Sequence, residues 1–167
     1  PMANEAYIAV GTAITVHGAT GADYAWSMEG VANGAGRVSA QIDLGATPRR
    51  GLYRWVCEVQ FQATPTQGRG LELYIASAPD HDSSRVDGDV GTTDAALGDV
   101  DMRRNLLAVG YVVSENAAAS EKCNASGVVE ITGRYISVVG YNDSGASVNA
   151  TDTNFYFSLT PISWQAQ

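Results

Sequence analysis

Two histidines, eighteen carboxylates, two cysteines and ten basic residues are what this chain of 167 residues offers for chemistry. His17 closes an apolar run and reads as a structural side chain. His81 stands between Asp80 and Asp82, and a carboxylate raises the pKa of a nearby imidazole. Neighbours in sequence do not, however, assemble a nucleophile, a base and an orienting acid. Glu58 and Glu72 fall on strand-like segments. A glycosidase needs two carboxyl groups about 5–9 Å apart across a cleft, and nothing in their spacing marks this pair. The nucleophile elbow, the zinc-peptidase helix, the phosphate-binding loop and the dinucleotide fingerprint are all absent. The residues therefore point away from an enzyme.

Asp80, Asp82, Asp87, Asp89, Asp94, Asp99 and Asp101 crowd into Pro79–Asp101. Carboxylate oxygens are what Ca²⁺ takes, six to eight at a time. Asp87-Gly88-Asp89-Val90-Gly91 opens like a calcium loop, but the sixth position is Thr92 instead of Gly, and the twelfth is Gly98 instead of Glu. An EF-hand is excluded, and the expectation is a solvated acidic loop with no metal and no cofactor. Cys57 lies in an apolar strand pattern and reads as buried. Cys123 lies in a polar stretch and reads as an exposed thiol. One disulfide can be counted from two cysteines but not inferred.

The remaining candidates bind rather than react. Nine of the ten basic residues are Arg, Lys122 being the exception. The pairs Arg49-Arg50 and Arg103-Arg104 fall in expected loops, where guanidinium groups suit forked contacts with a partner's carboxylates. Trp164, in the tail beyond Pro161, reads as an exposed or interface aromatic. Trp55 and Trp26 read as core. Arg49, Arg50, Arg103, Arg104 and Trp164 form the expected partner-binding set. A net charge of −8 and a pI near 4.5 exclude binding of nucleic acid by a general positive field. No run approaches the roughly 18 apolar residues of a membrane span. Pro1–Val10 lack the basic and apolar regions of a secretory signal, so synthesis in the cytoplasm is expected.

Strands must position these groups. In Leu52–Gln62, Tyr53, Trp55, Cys57, Val59 and Phe61 alternate with polar residues, which predicts a central strand over a sheet–sheet core. Val38–Leu44 alternates as a half-buried strand. Tyr24, Trp26 and Met28 share one face of an extended segment within Gly18–Gly36. Leu71–Ala78, Asn105–Ser114, Val128–Tyr141 and Phe155–Ile162 add further strands, and Glu115–Gly127 reads as a loop or short helix. Turn signals recur between short strands, and no long amphipathic helix intervenes. That pattern predicts one all-β domain over 1–167, an antiparallel two-sheet sandwich of jelly-roll type. Its long acidic loop spans 79–101. Residues 1–12 are expected either to form an arm or to pair as a first strand within their own sheet.

Gly133-Arg134-Tyr135-Ile136-Ser137-Val138-Val139-Gly140-Tyr141-Asn142-Asp143-Ser144-Gly145, followed by Asn154–Ile162, resembles small virion proteins of tailed bacteriophages, as does Val38–Gly45. The resemblance implies a capsid decoration, or cement, protein on the exterior of a virion. Its implied partners are the major capsid protein and further copies of itself, as a homotrimer. It implies no catalytic residues. A carbohydrate- or receptor-binding module of a phage fibre is the alternative, and a cluster of exposed aromatics beside the acidic loop would distinguish it.

Overall fold

Side chains on successive residues of a strand point to opposite faces, so a sandwich shows itself as burial on every second residue. The computed structural model describes residues 6–17, 21–45, 51–81, 85–115, 118 and 120–166, with the side chains of 6–9, 152 and 164–166 outside the description. Its strands are β1 (Ala6–Val10), β2 (Ile14–Thr15), β3 (Gly36–Val38), β4 (Ile42–Asp43), β5 (Gly51–Gln60), β6 (Gly70–Ala78), β7 (Ala95–Ala96), β8 (Leu107–Val113), β9 (Lys122–Ile131), β10 (Tyr135–Asn142) and β11 (Phe155–Ala166). Sheet one runs β1-β11-β5-β9, with β2 also on β11; sheet two runs β7-β3-β10-β6-β8, with β4 also on β10. Every strand pairing is antiparallel.

Treating β1/β2 and β3/β4 as single interrupted strands, and setting β7 aside, leaves eight. The first, eighth, third and sixth form one sheet, and the second, seventh, fourth and fifth the other. This interleaving of two Greek keys is the jelly roll. The protein is an all-β, jelly-roll-like sandwich, as the alternation predicts. The break between β1 and β2 falls opposite Pro161, which has no N–H to give; its carbonyl accepts from Gly11 N at 2.9 Å. The described part of the N-terminal run, Ala6–Val10, is paired with Ile162–Ala166 inside sheet one.

Tyr53, Trp55, Cys57, Val59 and Phe61 are all buried between the sheets, facing Leu71, Leu73 and Ile75 of β6. Trp55 occupies a slot between two glycines. A Cβ on Gly110 of β8 would lie 2.3 Å from its Cζ2, and one on Gly127 of β9 would lie 2.7 Å from its Nε1. Any larger residue at either position would displace the indole.

The structure departs from expectation in four places. Gly21–Ala35 is irregular rather than extended, yet Trp26 and Met28 are buried in the core. Trp26 meets Phe155 and Phe157 edge-on, with centroids 5.0 and 5.4 Å away. Val38–Leu44 is broken at Ser39–Gln41. The break turns the strand over, so Val38 packs outside sheet two while Ile42 and Leu44 pack inside. Ser39 and Gln41 are consequently buried. Lys122–Gly127, expected in a loop or helix, belongs to β9, where Cys123 pairs with Val59 and is buried as a free thiol instead of exposed.

Fourth, the described part of Pro79–Asp101 is more than a solvated loop, although most of its residues are exposed. It contains a 3₁₀ turn at Asp87–Asp89 and strand β7, and it is followed by a second 3₁₀ segment at Val100–Asn105. Val86, Val90 and Leu97 fold down on Val38, Ala76, Ala78 and Val139, making a second small core on the outer face of sheet two. Several aspartates fix this cover in place. Asp94 accepts from Ser27 N and Oγ at 3.1 and 2.6 Å and from Arg37 Nε at 2.6 Å. Asp87 accepts from Ser77 N, and Asp99 caps the second turn through Asp101 N. Burial opposes ionisation of Asp94, but the bonds from Arg37 and Ser27 prevail and lower its pKa.

Candidate functional site

Where the cover ends, sheet two presents a groove. An irregularity in the β6–β8 ladder between Leu73 and Tyr74 sets Leu73 opposite Gly110 and Tyr74 opposite Ala108, which leaves Val109 as an extra residue on β8. A bulge of this kind opens the ladder and re-aims neighbouring side chains. The resulting groove has a volume of about 370 Å³ and is bordered by Glu72, Tyr74, Ala108, Val109, Gly110 and Tyr111. That lies within the range of small-molecule sites.

Period-two geometry explains its lining. Glu72 and Tyr74 lie on the same face of β6. Glu72 has Tyr111 across from it on β8 and Tyr141 across from it on β10. The three tyrosines are half-buried. Tyr74 donates its hydroxyl to Glu72 Oε2 at 2.5 Å. From the segment Val100–Asn105, Arg103 reaches the same carboxylate at 3.2 Å and lays its guanidinium 3.9 Å from the centre of the Tyr141 ring, a cation–π contact. Arg103 also donates to the carbonyl of Val100. Burial, reinforced by the bond to Glu72, pushes the Tyr74 hydroxyl up to about 12. Burial, with the charges of Asp143 and Glu72, raises that of Tyr111. Both phenols therefore keep their protons well above neutral pH.

Of the residues singled out by sequence, Arg103 lies beside this groove, held by Glu72 and Tyr141. It is in a 3₁₀ segment rather than an open loop. Arg104 points away, with its side chain 74% exposed and paired to Asp101 at 3.2 Å. Arg49 and Arg50 lie outside the described residues. Trp164 is in β11 opposite Ile8, with its side chain outside the description. In sequence Glu72 reads only as a possible catalytic carboxylate, and nothing there marks Tyr74, Tyr111 and Tyr141 as a group. The available signal was the Glu72/Tyr74 spacing on one strand face; the partners from β8 and β10 depend on register, which the sequence does not state.

A second feature lies on the opposite side of the sandwich. The outer face of sheet one carries the row Val10, Ile162, Leu52 and Glu130, followed by Thr160, Arg54 and Val128. Val10, Leu52 and Val128 are 68%, 39% and 57% exposed.

No protein-family model matches the chain, and no curated protein matches it. Among solved structures, murine APRIL is similar with a TM-score of 0.42 and 11% identity, over 74% of this chain and 71% of that one. The C-terminal domain of EclA, a sugar-binding protein, gives 0.34 and 14%, over 99% of this chain and 80% of that one. Neither likeness bears on what this chain binds.

Proposed function

We propose that the protein works by docking and not by catalysis, as a virion structural protein that decorates a phage capsid by binding the major capsid protein. The outer face of sheet one carries this reading. Part of sheet two's outer face is covered by Val86, Val90 and Leu97, leaving the groove and Val113 at its open edge, whereas the outer face of sheet one leaves Val10, Leu52 and Val128 in water beside Ile162. Exposed apolar residues gathered into one patch on an otherwise polar surface mark an interaction site. The segments that resemble phage virion proteins support it too: Val38–Gly45 and Gly133–Gly145 are hydrogen-bonded neighbours through β3, β4 and β10 in sheet two, and Asn154–Ile162 runs through β11 in sheet one. Self-association as a homotrimer belongs to the same proposal, because three weak contacts made together bind far more tightly than one.

The test is co-sedimentation of the full chain with expanded capsids of its own phage. Val128→Asp and Leu52→Lys should reduce binding at least about tenfold while leaving the melting temperature nearly unchanged, since both side chains are exposed. A chain that is monomeric at micromolar concentration and leaves the capsids bare would overturn the proposal.

A further inference from the structure

We propose that the groove between β6 and β8 is a binding site for a neutral saccharide. It lies on the opposite face of the sandwich from the docking row, so both can be occupied together, and the inference does not depend on the decoration reading.

The lining selects the ligand. Aromatic surface is supplied by Tyr74 and Tyr111, and the Tyr141 ring adjoins them under Arg103. A sugar ring has one face of C–H groups that stacks on an aromatic ring and an equatorial rim of hydroxyls that needs hydrogen bonds. The rim can be met by Glu72, which borders the groove and offers carboxylate oxygens as acceptors, with Arg103 behind it giving Nε to Glu72 and Nη1 to the Val100 carbonyl. Adjacent ring hydroxyls match such planar, two-pronged groups. Glu72 is held by Tyr74 and Arg103 and Arg103 by Tyr141, so the polar groups are fixed before a ligand arrives; such preorganisation lowers the cost of binding. The groove floor is rigid as well, since Gly110 lies directly against the Trp55 indole in the core.

Charge excludes the main competitors. Arg103 is paired with Glu72 and Arg69 with Asp143, so the groove has no unpaired positive charge among these groups to draw in an anion. With a chain charge of −8, a phosphate, a nucleotide or an acidic peptide would enter against the field. An uncharged polyol meets no such barrier.

The experiment uses the full chain and a panel of neutral methyl glycosides and their short oligomers, first on an array and then by titration calorimetry, beside inorganic phosphate and an acidic peptide. At least one saccharide should bind with a dissociation constant below about 10 mM, while phosphate and the peptide should not. Tyr111→Ala should weaken that binding at least about tenfold, and Tyr111→Phe, which keeps the ring, should retain it within about threefold. Should Tyr111→Ala fail to fold, Ala108→Gln serves instead. It fills the groove from an exposed edge position and should also abolish binding. Neither variant should alter capsid co-sedimentation, which separates this inference from the docking face. A chain that binds no member of the panel, a preference for the anions, or saccharide binding that survives both Tyr111→Ala and Ala108→Gln would overturn it.

Discussion

Gly110→Ala places one methyl group against Trp55, and its cost can be worked from the slot that holds the indole. The new Cβ would lie 2.3 Å from Cζ2 and 2.6 Å from Cη2, where carbon atoms prefer about 3.5–4.0 Å. The ring has to retreat by more than 1 Å, and Gly127 closes the slot on its other side. Overpacking of this kind costs about 1–3 kcal/mol, while replacing a strand glycine by alanine returns roughly 0.5–1 kcal/mol of backbone entropy. The net loss is therefore between about 0 and 2.5 kcal/mol. In a domain of this size each kcal/mol moves the melting temperature by roughly 2–4 °C. Trp55→Phe shortens the ring system and empties the slot, so Gly110→Ala in that background should be neutral or slightly stabilising. Urea unfolding followed by circular dichroism, for the wild type, both single variants and the double variant, gives the coupling energy, which should be at least about 1 kcal/mol. Additivity to within about 0.5 kcal/mol would show that the two residues do not meet as described.

Asp94→Ala removes the carboxylate that Ser27 and Arg37 hold. It should cost about 1–3 kcal/mol and expose Pro79–Asn105 to protease under native conditions; cleavage no faster than in the wild type would mean the cover is anchored elsewhere. Arg134 grips Asp43 through two bonds of 2.7 and 2.8 Å and, against some burial and with help from Gly45 N, lowers its pKa from 3.8 to about 2. A depressed carboxyl pKa stabilises the fold above the unfolded value and ceases to do so as pH falls through the folded one. Arg134→Met should therefore flatten the loss of stability between pH 4 and pH 2, and only slightly, because water screens this exposed pair. Burial raises the Cys57 thiol far above its usual value and, with the charge of Glu121, raises Cys123 to about 11. Both thiols should resist a disulfide reagent at pH 8 and react together on unfolding; rapid labelling of one thiol in the native state would contradict the burial of Cys123.

The sandwich was legible wherever one face of a strand meets the core and the other meets water, as in β5, where the alternation and the burial agree residue by residue. It was illegible where both faces are covered. Ile136 to Gly140 are buried without interruption, and Ser39 and Gln41 look like surface residues in sequence, because alternation carries no information about a loop that folds down from elsewhere. The scattered Val86, Val90 and Leu97 have no period, since each anchors one point of the cover instead of lining a strand. The Tyr24, Trp26 and Met28 set was correctly placed toward the core for Trp26 and Met28, though their segment is not a strand. The groove was harder still. Its tyrosines, Tyr74 and Tyr111, come from two strands, and they meet, with Tyr141 alongside, only because the register sets Tyr111 and Tyr141 on either side of Glu72.

The pairing of Ala6–Val10 with Ile162–Ala166 has a consequence for how the chain is made. β11 is the middle of sheet one, between β1 and β5, so until residues 155–166 exist β1 and β2 have no strand to join. At roughly 5–20 residues per second on a ribosome, the first strand waits about ten to thirty seconds for the last. During that interval β5 and β9 can form a hairpin-like pair, but it presents an open edge and an uncovered apolar face, the arrangement most prone to pair with another chain. Completion of this sandwich is thus deferred until its last strand has been made, and an earlier, partly made chain depends on shielding of that edge and face.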